Sequence, residues 1–272
     1  MRQLIDFLAC RIIKGKEMIF EYSVVFISGL IVGSFLNVLI DRLPEGEDII
    51  FKRSHCDRCG KTLDFLDLIP LISFLMLKGR CRNCGKKISI QNPIIEAVTG
   101  FLWVFVYRSG LTLNLAVWQT VYQWSVIGAL LVIFITDIKK RIIPDQVIIF
   151  LIVTNLLYRT VFTASPLSEA IITGIFTGAF FFALVLLTRG KGMGMGDVKY
   201  ALFMGLYLGW PKIVAGFYLA FLTGALVSLI LVIRGIKTFK STVAFGPFLV
   251  GATVASQYYG ERIIFYFQKF FF

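Results

Sequence analysis

Apolar runs follow one another along nearly the whole chain, and they limit what it can fold into. Hydrophobic residues make up 57% of the 272 positions, well above their share in soluble domains. A backbone that crosses about 30 Å of hydrocarbon must satisfy its own hydrogen bonds, which favours helices. The sequence therefore predicts an all-α polytopic membrane protein with about eight transmembrane helices. These lie near residues 19–40, 93–108, 113–136, 142–160, 167–188, 198–210, 212–233 and 244–259.

A polar stretch after the first apolar run divides the chain. We predict an N-terminal extension (1–18), a first transmembrane helix (19–40), a cytoplasmic four-cysteine domain (41–92), a seven-helix membrane domain (93–260) and a C-terminal tail (261–272). Residues 63–77 are apolar but too short and interrupted to span, so we expect them on the membrane surface. The extension is either an interfacial helix or a stretch upstream of a true start at Met18.

Basic residues are distributed unequally between the two sides of the predicted helices. Four loops on one side hold 19 of the 28 Lys and Arg residues. This excess predicts that the side carrying residues 41–92 is cytoplasmic, although the basic N-terminal extension argues mildly the other way. Because topology accounts for the net charge of +12, we expect a lipid membrane and no nucleic acid as a partner.

The short supply of polar catalytic side chains excludes several mechanisms. His55 is the single histidine, so a His-Glu-x-x-His zinc-protease motif is impossible and a Ser-His-Asp triad would need that residue. After residue 96 the chain has five carboxylates, so acid–base chemistry in the membrane part must use them. They are Asp137, Asp145, Glu169, Asp197 and Glu261.

Two near-identical Cys-x-x-Cys-Gly-Lys turns occur in the polar stretch. The first contains Cys56 and Cys59, and the second contains Cys81 and Cys84. Two such turns complete a tetrahedral four-thiolate site for Zn²⁺, which would be structural because no coordination position stays open. Two disulfides are the alternative, but the cytoplasm is a reducing compartment.

A glycine-rich stretch at residues 192–199 carries one acid, Asp197, beside Gly194 and Gly196. Those glycines allow a close approach of backbone or substrate. Asp137 precedes Asp197 by 60 residues, yet both acids fall at the cytoplasmic end of a predicted helix. If they meet, two carboxylates that share a proton can activate water and protonate a peptide, as in an aspartyl protease. The alternatives are helix capping by Asp197 and ion pairing of Asp137 with the basic residues after it.

Several motifs resemble those of a known family. The string GMGMGDVK at 192–199 is similar to the GxGD motif of intramembrane aspartyl proteases. Together with the paired cysteines, four more motifs resemble type IV prepilin peptidases, in the same order over about residues 19–260. They are GSFLNVLIDRLP at 33–44, NPIIE at 92–96, DIKKRIIPD at 137–145 and FGPFL at 245–249.

The resemblance implies a bacterial inner-membrane enzyme with its active site on the cytoplasmic side. Such enzymes cut the leader from prepilins or pseudopilins, and many also methylate the new N-terminus with S-adenosylmethionine. By motif, Asp137 and Asp197 would be the catalytic pair, and the four paired cysteines would bind zinc. Some members have a second acid where this chain has Lys139. Asp145 is the remaining acid that could take a catalytic role in place of that second acid, although we expect Asp145 to cap or orient its loop.

Other residues receive weaker functional predictions. Gly79, Arg80 and Glu96 are candidates for the methyltransferase site, and Glu96 could equally be an acid at a helix start. Lys199 either supports the charge of the aspartate pair or extends to the membrane surface.

Two other functions compete with a bifunctional enzyme. One is a peptidase of the same fold without methyltransferase activity. The other is a transporter or assembly scaffold whose cysteine domain binds a partner. A transporter needs charges within the membrane along its path, and the predicted helices have almost none at mid-depth.

The charge distribution makes a topology prediction. A membrane-impermeant thiol reagent applied to intact cells should fail to label a cysteine introduced near Gly46 and should label one near Ser165. Reversed labelling would contradict the cytoplasmic position of residues 41–92.

Overall fold

The computed structural model describes residues 2–49, 51–56, 58–112, 115–163, 166–190, 192–236 and 243–271. Within these ranges the regular structure is helical, with isolated β-bridges in place of strands. The helices are α1 Arg2–Arg42, α2 Ile72–Met76, α3 Gln91–Thr112, α4 Val117–Lys140, α5 Asp145–Phe162, α6 Leu167–Leu187, α7 Met195–Leu208, α8 Lys212–Ile233 and α9 Gly246–Phe271. Short 3-10 helices occupy Leu43–Glu45 and Phe65–Leu68. Ser165, the outer labelling position, lies outside the described residues.

Six helices in the described ranges are long and apolar enough to cross a membrane. They are the Met18–Glu45 part of the first helical segment, α3, α4, α5, α6 and α8. The chain is thus an all-α, multi-pass membrane protein, as predicted. The other two predicted spans correspond to α7 and α9. With 14 residues, α7 is about 21 Å long, short of the hydrocarbon thickness.

Two helix boundaries differ from the sequence prediction. Helix α1 runs without interruption from Arg2, so the predicted extension and first transmembrane helix form one element. Helix α9 continues to Phe271 through most of the predicted tail. Local sequence shows where apolar character begins, but a helix can continue through polar residues because its backbone bonds are internal.

The chain forms two compact units, and the first comprises Met1–Arg42 and Asp48–Gly128. Within it α1 packs along α3 at close range. A Cβ on Gly29 or Gly33 would lie 2.7 Å from the α3 backbone, so small residues permit this approach. The buried guanidinium of Arg42 donates to three backbone carbonyls between residues 48 and 53, at 2.6–3.2 Å. Arg42 therefore fastens the start of the cysteine domain to the end of α1.

The second unit comprises Leu43–Glu47 and Ala129–Phe272. Helix α7 lies inside it and packs against α5, α6, α8 and α9. Tyr200, Phe203 and Met204 of α7 are fully buried. A Cβ on Gly205 would lie 2.8 Å from the Cα of Gly174 in α6. These contacts explain how a short helix is accommodated, since protein surrounds it.

Candidate active site and four-cysteine site

Asp197 lies in the first turn of α7, as its third residue. The backbone N–H of Gly194 donates to Asp197 Oδ2 at 3.0 Å, and the Asp197 N–H donates to the Gly194 carbonyl at 3.2 Å. This is the reciprocal bonding of a helix N-terminus, where the helix dipole also favours a negative charge. Asp197 is therefore not the N-cap residue that the sequence alternative supposed: Gly194 is the cap residue, and Asp197 bonds back to it from the third position of the helix.

Asp137 lies near the C-terminal end of α4 and is 6% exposed. The backbone N–H of Gly246, the first residue of α9, donates to Asp137 Oδ2 at 2.9 Å. Each of the two acids thus accepts a hydrogen bond from a glycine N–H at the start of a helix. Such bonds hold a carboxylate in one orientation and offset part of the cost of its burial.

The two carboxylates are close enough to interact electrostatically, although 60 residues separate them in the chain. Both lie in the second unit. Two ionised carboxylates at close range repel, so such a pair favours holding one proton between them. A shared proton is what a pair needs to act as acid and base in one reaction.

A buried hydrogen bond joins the two helices whose N-termini meet the acids. The Tyr200 hydroxyl of α7 and the Thr253 hydroxyl of α9 are 2.9 Å apart, and both residues are fully buried. Tyr200 follows Asp197 by three residues, so this bond lies one helical turn away from the acid. It limits relative movement of α7 and α9, and with it the movement of Gly194 and Gly246.

Lys199 pairs with Asp145, the first residue of α5, and its Nζ lies 2.7 and 2.8 Å from the two carboxylate oxygens. A Cβ on Gly196 would lie 3.2 Å from Ile143 in the same α4–α5 connection. The connection after Asp137 is therefore held against the start of α7. The sequence analysis expected Asp145 to cap or orient its loop, but it did not predict Asp145 as the partner of Lys199, because that contact depends on packing between distant segments.

Gly246 is a site residue that the sequence reasoning did not single out. A Cβ at this position would lie 2.6 Å from Asp137 Oδ2 and 2.9 Å from Cγ. The signal was present in the string FGPFL at 245–249, where Gly-Pro typically precedes or begins a helix. Without the structure, nothing connected that string to Asp137.

The four paired cysteines converge in the first unit. Their sulfur atoms all lie within 4.8 Å of one another, and the Sγ atoms of Cys56 and Cys84 are 3.9 Å apart. A tetrahedral zinc–thiolate site requires about 3.8 Å between sulfurs. All four are free thiols, which does not support the disulfide alternative. The donor set therefore fits a metal ion.

Hydrogen bonds in the turns lower the thiol pKa of Cys59 and Cys81, whereas desolvation and the neighbouring cysteines raise the pKa of Cys84 to about 11. Each turn repeats one pattern, in which the glycine N–H donates to the carbonyl of the first cysteine, as Gly60 does to Cys56 at 2.8 Å. A backbone hydrogen bond from Lys61 and the Asn83 amide lower the pKa of Cys59 to about 7. Because metals bind the thiolate and not the thiol, this lowering suits a ligand. Asn83 belongs to the second turn, so it also joins the two.

The three methyltransferase candidates lie next to or contact the residues between the two cysteine turns. Glu96 of α3 accepts the backbone N–H of Leu71 at 2.8 Å. Gly79 has φ +66°, and a Cβ there would lie 3.0 Å from the ring of Phe74. Arg80 forms a backbone bridge with Lys87. Glu96 and Gly79 thus have local structural roles, and their part in methyl transfer stays a prediction.

Comparison with known proteins agrees with the motifs. Residues 27–109 match the bacterial peptidase A24 N-terminal domain, and residues 124–229 match the type IV leader peptidase family. The chain belongs to the type IV leader peptidase family, as the sequence predicted. No solved structure gives a significant match to the chain.

Two relatives show the extent of the similarity. The prepilin leader peptidase/N-methyltransferase of Bacillus subtilis is 33% identical over 250 residues, covering 91% of this chain and 98% of the relative. The protein of the same name from Aeromonas salmonicida is 32% identical over 272 residues, covering 89% and 92%. The similarity therefore extends over both units.

Gly246 and Gly251 in α9 offer a matched pair of substitutions. Gly246→Ala should displace the Asp137 carboxylate, and if Asp137 takes part in the reaction, a shift of about 1 Å should lower leader peptidase activity at least about tenfold. Gly251→Ala meets no atom within 4 Å and should keep activity, with stability unchanged or raised by up to about 1 kcal/mol. Activity and thermal unfolding of both variants test this. Equal activity would show that Asp137 tolerates the shift.

The Lys199–Asp145 pair can be tested by a double-mutant cycle. The side chains are 45% and 57% exposed, so their contribution to stability should be at most about 1 kcal/mol. Lys199→Met and Asp145→Asn should each weaken activity without abolishing it, and the double variant should be no weaker than the worse single one. If Lys199→Met alone abolishes activity, Lys199 acts on the aspartate pair directly.

Proposed function

We propose that this protein is a membrane aspartyl endopeptidase that removes the leader peptide from type IV prepilins or pseudopilins. Asp137 and Asp197 are the proposed catalytic pair. The observation that carries the proposal is the electrostatic interaction between these two carboxylates of one unit, each of which accepts a hydrogen bond from the N–H of a helix-start glycine. The substrate class follows from the printed names of the relatives.

In the proposed reaction, the ionised carboxylate accepts a proton from a water molecule while the oxygen of that water attacks the scissile carbonyl carbon. The protonated carboxylic acid stabilises the tetrahedral intermediate and supplies the proton that the departing amine nitrogen takes. The C–N bond breaks, and the pair again holds one proton. The hydrogen bonds from Gly194 and Gly246 keep the two acids oriented throughout.

The proposed location is the bacterial cytoplasmic membrane, with the aspartate pair on the cytoplasmic side. The excess of Lys and Arg in the loops of that side supports this orientation. We also propose that α7 and α9 complete a set of eight membrane helices. The enclosure of α7 by four other helices supports its place in the membrane despite its length, since lipid need not match it.

We propose that the four-cysteine site holds one structural Zn²⁺. Sulfur spacing near that of a tetrahedral site supports this, and four thiolates leave no position for a substrate. The ion would fix two turns that otherwise share few buried contacts. Its loss should therefore loosen the domain at residues 41–92 and not the aspartate pair.

We propose methylation of the new N-terminus as a second activity, supported by the names of the relatives. S-adenosylmethionine would supply the methyl group. Glu96 and Gly79 already have local partners, so a cofactor bound beside them would have to keep or replace those contacts. A peptidase without this activity is the remaining alternative, and label transfer to a precleaved substrate separates the two.

Substitution of the acids tests the peptidase proposal. Asp137→Asn and Asp197→Asn should each lower leader cleavage at least about a thousandfold, since either change removes both acid and base roles. The double variant should be no worse than either single one. The pH–rate profile of the unaltered enzyme should be bell-shaped, with two apparent pKa values that belong to the pair.

Glu261→Gln is the matched control, because Glu261 is an exposed carboxylate that pairs with Lys212 in the same unit. It should retain near-normal cleavage of a purified prepilin. Bound zinc should be unchanged in every variant, and every variant should still fold. Full cleavage by Asp137→Asn would remove this residue from the mechanism and make Asp145 the leading partner of Asp197.

Metal analysis tests the zinc proposal. Protein purified without chelators should contain close to one zinc per chain, and Cys81→Ser should lower this content because three thiolates bind more weakly than four. Cys10 is not part of either turn, so Cys10→Ser should leave it unchanged. Oxidised paired cysteines in protein from intact cells would contradict the proposal.

A further inference from the structure

An apolar surface is exposed on the segment that joins the two cysteine turns. We define the apolar segment as residues 65–76, which comprise the 3-10 helix Phe65–Leu68, a turn and α2. Phe65, Leu75 and Met76 are 81%, 73% and 77% exposed. Single exposed apolar side chains are ordinary on a protein surface, but a group of them indicates an interaction surface.

The attachment of this segment fixes its level along the membrane helices. The N–H of Leu71, in the middle of the segment, donates to Glu96 Oε2 at 2.8 Å. Glu96 is the sixth residue of α3, about 7.5 Å along that helix from its start. The apolar segment is thus held beside the first turns of a membrane-spanning helix.

Apolar exposure continues from the segment onto α3. Ile90 and Ile94, before and within the first turn of that helix, are exposed as well. A membrane helix exposes apolar side chains where it meets lipid. The segment and the start of α3 therefore present apolar side chains at the same level.

A basic cluster adjoins the apolar segment. Residues 78–90 contain five exposed Lys and Arg residues and no acid: Lys78, Arg80, Arg82, Lys86 and Lys87. Two contacts hold this part to the segment, namely Arg82 Nε to Asp67 Oδ1 at 2.9 Å and the N–H of Gly79 to the Phe74 carbonyl at 2.8 Å. Basic side chains next to an exposed apolar surface are typical of elements that lie in the headgroup region of an anionic membrane.

We propose that the apolar segment inserts into the boundary between headgroups and acyl chains of the cytoplasmic leaflet, with the basic cluster on anionic headgroups. The four-cysteine site then lies on the lipid surface and does not extend freely into the cytoplasm. The occupant of this surface is lipid and not a protein partner, because Glu96 holds the surface beside a membrane helix. The sequence predicted a surface location for residues 63–77, but not its anchor or its preference for anionic lipid.

Photo-crosslinking of the full-length protein tests the insertion. Benzoylphenylalanine at Met76, in nanodiscs containing phosphatidylglycerol, should form adducts with lipid acyl chains, identified by mass spectrometry. The same label at Arg58, an exposed residue of the first cysteine turn, should form several-fold fewer. Equal yields at both positions, or crosslinks from Met76 to protein alone, would overturn the proposal.

Hydrogen exchange tests the lipid preference without a label. Amides of residues 65–77 should exchange several-fold more slowly in phosphatidylglycerol nanodiscs than in phosphatidylcholine ones. Lys86→Gln with Lys87→Gln should reduce this difference, and Leu75→Gln with Met76→Gln should speed exchange in both lipids. All four side chains are exposed, so zinc content should not change. Exchange that is the same in both lipids and in all variants would overturn the proposal.

Discussion

The arrangement of the second unit depends on two carboxylates that accept hydrogen bonds at the N-termini of two helices, with Asp137 buried and Asp197 half-buried. Burial of an acid is unfavourable unless donors replace the lost water. Here the start of α9 supplies Gly246 to Asp137, and the start of α7 supplies Gly194 to Asp197. Helix dipoles add to both bonds. The acids can therefore remain close together in a largely apolar bundle, although their charges oppose each other.

Enclosure of α7 makes this geometry possible. Four helices surround it, and the close approach of Gly205 to Gly174 lets α6 lie directly against it. The buried bond between Tyr200 and Thr253 then ties α7 to α9. Helices in lipid gain little from burying apolar area against each other, so small residues and polar bonds determine how they pack. The same contacts that stabilise the bundle orient the proposed catalytic pair.

In the first unit, polar residues attach a polar domain to the membrane helices. Its polar domain has few buried apolar side chains, and instead it is fastened to the helices at single polar residues. Arg42 holds the loop after α1 by backbone carbonyls, and Glu96 holds the middle of the apolar segment. A metal in the four-thiolate site would supply the remaining rigidity. Charged residues near helix ends thus act as anchors as well as topology signals.

The sequence by itself determined the class of fold, the family and the candidate residues. Long apolar runs require helices in lipid, and the spacing of the motifs around Asp137, Asp197 and the four cysteines suits few other kinds of site. It could not determine the extent of α1 and α9, the partner of Lys199, the role of Gly246 or the bond from Glu96 to Leu71. Each of these depends on how segments distant in the chain pack together. Periodicity and motif spacing are local properties, whereas a hydrogen bond between residues 109 positions apart exists only in the folded bundle.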